Sequence, residues 1–202
     1  MSVPRVAVIP VGRMDVGEAE AALGRVSKVL HAPVELRETV PLPKGTEDAA
    51  RGQHGSQQFL SAIRGELIRL KTTKLVSPDG VAAAPAGPPA ASVAAVFVTD
   101  VDLFSPTTDA VISELDPAHR AAVVSVRRLR EAFYRRKADP GKQRSRLVKE
   151  ILRATGRLAG LSDCNDAGCS LAPTRSLADV DRKSEHYCAP CWKRMSAGTM
   201  RI

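Results

Sequence analysis

The chain has 202 residues and a mass of 21.6 kDa, a size that favours one compact domain. Hydrophobic residues make up 44% of it, with four Phe, two Tyr and one Trp among them. This composition excludes disorder of the whole chain and predicts a core of Val, Leu, Ile and Ala. Prolines interrupt the longest apolar stretch, 81–98, and residues 1–14 lack the apolar run of a signal peptide. We therefore expect a soluble cytoplasmic protein without a membrane segment.

Strands and helices are predicted to alternate along the chain. Runs rich in Val and Ile predict strands, and apolar stripes at helical spacing predict helices. In chain order the predicted elements are a strand at 5–11, a helix at 17–30, a strand at 34–40, a helix at 56–70, strands at 92–99 and 121–126, and a helix that begins near Lys142 and ends at Gly160. Such alternation predicts an α/β layer fold.

Two segments break this alternation. Residues 77–91 consist mainly of Ala, Pro and Gly with almost no charge, which predicts a mobile loop. After Gly160 the pattern becomes irregular, and all four cysteines lie in the segment 164–202. We interpret residues 1–202 as one domain that contains this loop and this C-terminal segment.

The formal net charge of +8 comes from one part of the chain. Between Arg127 and Arg157 twelve Lys and Arg residues face three acidic residues, whereas the rest of the chain is close to neutral. Clustered cations are typical of a surface for nucleic acid or for an acidic partner, and equally of a solvated helical face. The candidate basic surface comprises Arg127, Arg128, Arg130, Arg135, Arg136 and Lys137.

Four cysteines form a second candidate site. Cys164, Cys169, Cys188 and Cys191 have the spacing C-x4-C-x18-C-x2-C, and no cysteine precedes them. Four thiolates from two short segments are typical of a tetrahedral structural zinc site, whereas a disulfide framework is disfavoured in a reducing compartment. Four sulfur ligands leave no open position for substrate or water. We therefore expect one structural zinc ion, which would stabilise a segment poor in large apolar side chains.

Several motifs together resemble the archaemetzincins, a family of small zinc metallopeptidases. They are RVAVIPVG at Arg5, RGQ at Arg51, VTDVDLF at Val98, VVSVRRLREAFY at Val123 and SLADVDRKS at Ser176, together with Gly160 and the four cysteines. The resemblance covers nearly the whole chain. It implies a metzincin-like single domain, in which helices flank a twisted mixed sheet and the four cysteines bind zinc in the C-terminal segment.

The residues that would bind the catalytic zinc in that family differ here. Against the family motif H-E-x-x-H-x-x-G-x-x-H, the first histidine falls on Arg153, the glutamate on Ala154, the second histidine on Arg157 and the third on Asp163. Guanidinium groups have no lone pair for a metal, and one carboxylate cannot hold zinc alone. We therefore expect no catalytic zinc and no peptidase activity by the family mechanism.

Arg153, Arg157 and Asp163 should converge where that metal would lie. We expect Asp163 to pair with one or both arginines, and Glu150, on the polar face of the helix, to be a further acceptor for Arg153. If the pair is buried, loss of Asp163 would cost ~3 kcal/mol. Alternatively, both arginines point into solvent.

Three functions are open from the sequence. Within the family, the chain is similar to the non-catalytic CarG type of bacterial transcription regulators, which implies a protein-interaction module with a CarD-type regulator as its partner. Alternatively, the basic segment 127–157 binds nucleic acid directly. In the third interpretation, an unrecognised ligand set retains zinc metallopeptidase activity.

Overall fold

The computed structural model describes residues 5–64, 72–76, 82–83 and 93–197, and it confirms the α/β fold class. Its helices are α1 (Val16–Leu30), α2 (Ser56–Arg64), α3 (Pro140–Leu158), α4 (Leu177–Arg182) and α5 (Ala189–Ser196). Its strands are β1 (Val6–Val11), β2 (Val34–Arg37), β3 (Glu47–Asp48), β4 (Gln53–Gly55), β5 (Thr72–Val76), β6 (Ala82–Ala83), β7 (Ala94–Thr99), β8 (Leu103–Ser105), β9 (Thr108–Val111), β10 (Ser113–Asp116) and β11 (Ala121–Ser125). Within these ranges no helix is long and apolar enough to cross a bilayer.

A mixed sheet forms the centre of the described part of the chain, with strand order β10-β11-β7-β1-β2-β5-β6. The strands β11, β7, β1 and β2 are parallel, whereas β10, β5 and β6 run antiparallel to their neighbours. In the register of β1, Val6 pairs with Val34 on one side and with Ala94 on the other. Every residue of β1 and β7 is buried. Strands covered on both faces are continuous apolar runs, which is why the sequence predicted them well.

Alternate residues of β1 pack into two separate cores. Val6 and Val8 pack on one face with α1 and α3, whereas Ile9 and Val11 pack on the other face with α2. This is the two-residue periodicity of a strand. Helix α3, which carries the candidate site, is fixed to the first core by its buried stripe of Leu147, Val148, Ile151, Leu152 and Leu158.

The structure moves or adds several elements relative to the prediction. Helix α3 begins at Pro140 rather than near Lys142, because the Asp139 carboxylate accepts a hydrogen bond from Lys142 N at 2.9 Å and Pro140 fits the first turn. The segment after Gly160, predicted to be irregular, contains α4 and α5. Helix α4 begins with a capping box in which Ser176 and Asp179 exchange hydrogen bonds.

A second sheet with strand order β3-β4-β8-β9 is absent from the prediction. Its strands are two to four residues long, too short to show a clear alternation of polar and apolar residues. The predicted loop 77–91 lies largely outside the described residues, but Ala82–Ala83 within it forms β6 and pairs with β5. Residues 65–70, the end of the predicted second helix, also lie outside the described residues.

A buried arginine joins α3 to two other parts of the chain. Arg146 has no exposed side-chain surface, and it donates from Nε to Asp181 Oδ1 at 2.7 Å and from Nη2 to Glu131 Oε1 at 2.6 Å. Hydrogen bonds from Lys142 and Arg146 lower the pKa of Glu131 to about 2. The network therefore links α3 to the segment that precedes it and to α4.

We predict that Glu131 makes the free energy of unfolding depend on pH in acid. Its ordinary pKa is 4.5 and its pKa in the folded state is about 2. The charged carboxylate therefore contributes stability above a pH of about 4.5, and this contribution is lost as the pH falls towards about 2. Glu131→Gln should unfold at lower urea concentration at neutral pH and should lose less stability than the wild type on acidification.

Urea titrations at neutral pH and near pH 3 check this prediction. Glu38→Gln, which removes an exposed carboxylate, is the matched control and should keep the wild-type dependence on pH. Equal losses of stability in Glu131→Gln and the wild type would contradict the role given to Glu131.

Candidate metal centre and the end of helix α3

A tight turn closes the C-terminal end of α3. Gly160 has φ +87°, a conformation that glycine adopts without strain, and Leu161 N donates to Gly156 O at 3.0 Å. Gly156 also leaves room for Leu171, because a Cβ atom at position 156 would lie 2.7 Å from Leu171 Cδ2. The chain beyond the turn can therefore pack directly against the helix.

Backbone hydrogen bonds bring the four cysteines together. Cys164 N donates to Leu171 O at 3.0 Å, and Cys188 N donates to Cys169 Sγ at 3.3 Å. Cys188 is the N-cap residue of α5, and Cys191 lies in the first turn of that helix. The ligand pairs thus come from one loop and from the start of one helix.

The sulfur atoms have the spacing of a tetrahedral metal site. All four lie within 4.8 Å of one another, Cys164 Sγ is 3.7 Å from Cys188 Sγ, and none of them forms a disulfide. Zinc–sulfur bonds of about 2.3 Å place the sulfurs of a tetrahedron about 3.8 Å apart. Burial and the thiol of Cys188 raise the pKa of Cys191 to about 12, so ionising all four thiols requires a cation. The donor set and its spacing fit one zinc ion.

Arg153, Arg157 and Asp163 meet beside the turn. Arg153 Nη2 donates to Asp163 Oδ1 at 3.2 Å, and Arg157 Nε lies 3.6 Å from the same oxygen. Arg157 Nη1 also donates to Leu161 O at 2.9 Å. The side chain of Asp163 is 41% exposed and that of Arg153 is 11% exposed. Ala154 is buried in the core. The ion pairs join α3 to the residues beyond its turn, at a partly solvated position.

Glu150 does not lie on a polar face and is not the further acceptor for Arg153. It is completely buried, and it accepts hydrogen bonds from Lys183 Nζ at 2.8 Å and from Thr174 Oγ1 at 2.7 Å. Ser113 Oγ lies between the two groups, donating to Glu150 Oε2 at 3.3 Å and accepting from Arg153 Nη1 at 3.4 Å. Buried charges require such partners. Lys183 belongs to the motif SLADVDRKS, but nothing in a single sequence pairs it with Glu150.

Half of the candidate basic surface is engaged in ion pairs with other parts of the fold. These pairs are Arg128 with Asp102, Arg130 with Glu18 and Arg136 with Glu131. The other three residues, Arg127, Arg135 and Lys137, are exposed. Asp102 and Glu18, which lie outside the segment 127–157, therefore offset part of its excess positive charge.

Comparison with known proteins assigns the family. The model of peptidase family M54 matches residues 89–197, more than half of the chain. The chain belongs to peptidase family M54. It is 34% identical to the archaemetzincin of Thermococcus kodakarensis over 106 residues, which are 52% of this chain and 57% of that protein. It is 41% identical to the archaemetzincin of Saccharolobus solfataricus over 70 residues, which are 35% of this chain and 38% of that protein. The matched segments thus span 57% and 38% of these two relatives. The match to the family model confirms the predicted family.

Solved structures confirm the metzincin-like fold. A zinc-dependent peptidase from Methanocorpusculum labreanum is similar with a TM-score of 0.78 and 26% identity, over 94% of this chain and 99% of that one. The archaemetzincin of Methanopyrus kandleri has a TM-score of 0.72 and 24% identity, over 99% of this chain and 98% of that one. The second likeness shows the fold alone.

We predict that the ion pairs of Asp163 contribute little to stability. Because 41% of the Asp163 side chain is exposed, Asp163→Asn should lower the free energy of unfolding by about 1 kcal/mol or less, not by the larger amount expected for a buried pair. Urea titration measures the change, with Glu38→Gln as the control for removal of an exposed carboxylate. A loss of several kcal/mol would show that the pair is shielded from water.

Proposed function

We propose that this chain is a non-catalytic member of peptidase family M54, which binds one structural zinc ion and acts as a protein-interaction module in bacterial transcription regulation. The observation that carries the proposal is the set of side chains at the end of α3. Arg153, Ala154, Arg157 and Asp163 stand where the family motif has its zinc ligands and its general base. A hydrolytic zinc centre needs neutral imidazole or carboxylate ligands and a base that activates water.

The charge at this position opposes a catalytic metal. Two guanidinium groups lie within 3.6 Å of one Asp163 oxygen, and neither has a lone pair to give. Ala154 has no carboxylate that could take a proton from water. Among the residues that the structure describes, the four cysteines are the one group of three or more His, Cys, Asp or Glu side chains placed to hold a metal ion. The residues at the end of α3 do not fit the catalytic zinc of the family.

The four cysteines support a structural role for zinc. With four sulfur ligands a zinc ion has no position left for substrate, and it crosslinks the segments that hold it. Here it would join the loop 164–169 to the start of α5. Tyr187, which directly precedes Cys188, also contacts α3, since its Oη donates to Leu152 O at 2.6 Å. Zinc would therefore hold the C-terminal segment against the helix.

The resemblance to CarG-type proteins supports a CarD-type transcription regulator as the partner. The net charge of +8 and the exposed residues Arg127, Arg135 and Lys137 favour a partner with an acidic surface, because opposite charges increase the rate of encounter. Direct binding of nucleic acid has less support, since ion pairs within the fold engage the other half of the candidate basic surface.

Zinc stoichiometry, measured by native mass spectrometry, tests the absence of a catalytic centre. We predict one zinc ion per chain for the wild type and loss of that ion in Cys188→Ser. A combined variant should bind a second ion, because it regains three imidazoles and a general base. Its changes are Arg153→His, Ala154→Glu, Arg157→His and Asp163→His. Two zinc ions in the wild type, or peptide hydrolysis that Asp163→Ala abolishes, would overturn the proposal.

Association with a CarD-type regulator tests the partner. We predict that the two proteins co-purify, and that changing Arg127, Arg135 and Lys137 together to Glu weakens the complex by reversing the charge of the exposed basic surface. Lys193→Glu, at an exposed position in α5, is the control. Absence of association would contradict this partner. Salt-sensitive binding of duplex DNA by the wild type would instead favour the nucleic-acid function.

A further inference from the structure

The topology of the main sheet creates a crevice that shares Arg127, but neither Arg135 nor Lys137, with the basic surface proposed for partner binding. From β1 the chain passes through α1 to β2 on one side, and β7 later pairs with β1 on the other side. The strand order therefore reverses between β1 and β7. In open α/β sheets, ligands bind outside the carboxyl ends of the parallel strands at such a switch point.

A cleft of about 750 Å³ lies at this place. Gly12 and Arg13 follow β1, Asp100 and Val101 follow β7, and Arg127 follows β11, and all five line the cleft. The second sheet supplies the opposite wall. The volume is in the range of small-molecule sites.

Two exposed apolar side chains line the cleft. Leu42 is 38% exposed and Phe133 is 36% exposed, and both line the cleft. Within the described part of the chain, Val16 is the one other large hydrophobic residue with comparable exposure. Exposed apolar side chains that line a cleft are typical of a site that receives an apolar group.

Charges of both signs point to the class of ligand. Several charged groups that line the cleft are already neutralised, because Asp102 pairs with Arg128, and Arg51 pairs with Asp48 and Asp109. Four others form no ion pair with any described residue, and these are Arg13, Arg127, Glu47 and Asp100. Two cations and two carboxylates match a ligand that carries both charges. They do not match a polyphosphate, which the carboxylates would repel.

The spacing of the strands places groups of opposite charge on neighbouring loops, within reach of a short ligand. Neighbouring parallel strands lie about 4.8 Å apart, so the loop that carries Asp100 is flanked at about that distance by the loops that carry Arg13 and Arg127. Two extended residues of a peptide span about 7 Å. We infer that this crevice binds a short zwitterionic peptide of about two residues with a large apolar side chain. Its ammonium group pairs with Asp100, its terminal carboxylate pairs with Arg13 or Arg127, and its side chain contacts Leu42 and Phe133.

This site is separate from the end of α3. The cleft shares no lining residue with the cluster of Arg153, Arg157 and Asp163. Arg153 lies thirteen residues beyond Pro140, which is about 20 Å along the helix axis. Peptide binding in the crevice therefore does not depend on a metal at the end of α3.

Calorimetric titration of the full-length, zinc-loaded chain with the dipeptide Leu-Phe tests the inference. We expect saturable binding that weakens by about tenfold when the peptide is N-acetylated, and by a similar factor when its carboxylate is amidated, because each change removes one charged hydrogen-bonding group. In Asp100→Asn the free and acetylated peptides should bind about equally. In the double variant Arg13→Gln with Arg127→Gln the free and amidated peptides should bind about equally.

Two-dimensional NMR places the binding site and provides the controls. The amide signals of Gly12 and Gly52 should shift with the peptide, whereas that of Gly160 should not. Glu38→Gln and Lys193→Gln change exposed charges outside the cleft and should keep the wild-type affinities. Absence of binding, equal affinity of the wild type for free and blocked peptides, or shifts confined to residues near Gly160 would each overturn the inference and leave the zinc stoichiometry unaffected.

Discussion

The arrangement of the C-terminal segment depends on one constraint, which is that four cysteine sulfurs share a volume only 4.8 Å across. Cys164 follows directly on Asp163, so a zinc ion at the sulfurs would also fix the position of that carboxylate. On the other side, Leu171 packs against Gly156 of α3 and its carbonyl accepts from Cys164 N. A metal ion held by the four sulfurs would therefore fix the geometry at the end of α3, beside Arg153, Arg157 and Asp163.

Helix α3 has anchors that require no metal. Arg146 is buried and pairs with the buried Glu131 and with the partly exposed Asp181, and Lys183 is buried with Glu150. Removing one partner of the fully buried pair Lys183–Glu150 costs roughly 3–5 kcal/mol, whereas an exposed pair such as that of Asp163 contributes about 1 kcal/mol or less. Loss of the buried pair therefore lowers the free energy of unfolding more than loss of the exposed pair. Changes at Arg153, Arg157 and Asp163 should therefore be compatible with a stable fold.

The sequence predicted the elements whose pattern follows from burial alone. The strands β1 and β7 and the helix α3 were predicted because their apolar residues are continuous or recur at helical spacing. Glu150 was misplaced because helical periodicity assigns a charged residue to solvent, whereas its position here depends on Lys183, thirty-three residues away. The crevice was not predicted from the sequence. Asp100 directly follows a predicted strand, but its significance depends on the strand order, which periodicity does not reveal.

The end of α3 and the crevice differ in what makes them rigid. The end of α3 is held by ion pairs between side chains, so a few substitutions there change its chemistry. The crevice is held by the sheet itself, since β1 and β7 pair over six residues, from Val6 with Ala94 to Val11 with Thr99, and their ends cannot separate without breaking buried backbone hydrogen bonds. Substitutions at the end of α3 therefore leave the crevice in place, because the same strand pairing that builds the core also builds the crevice.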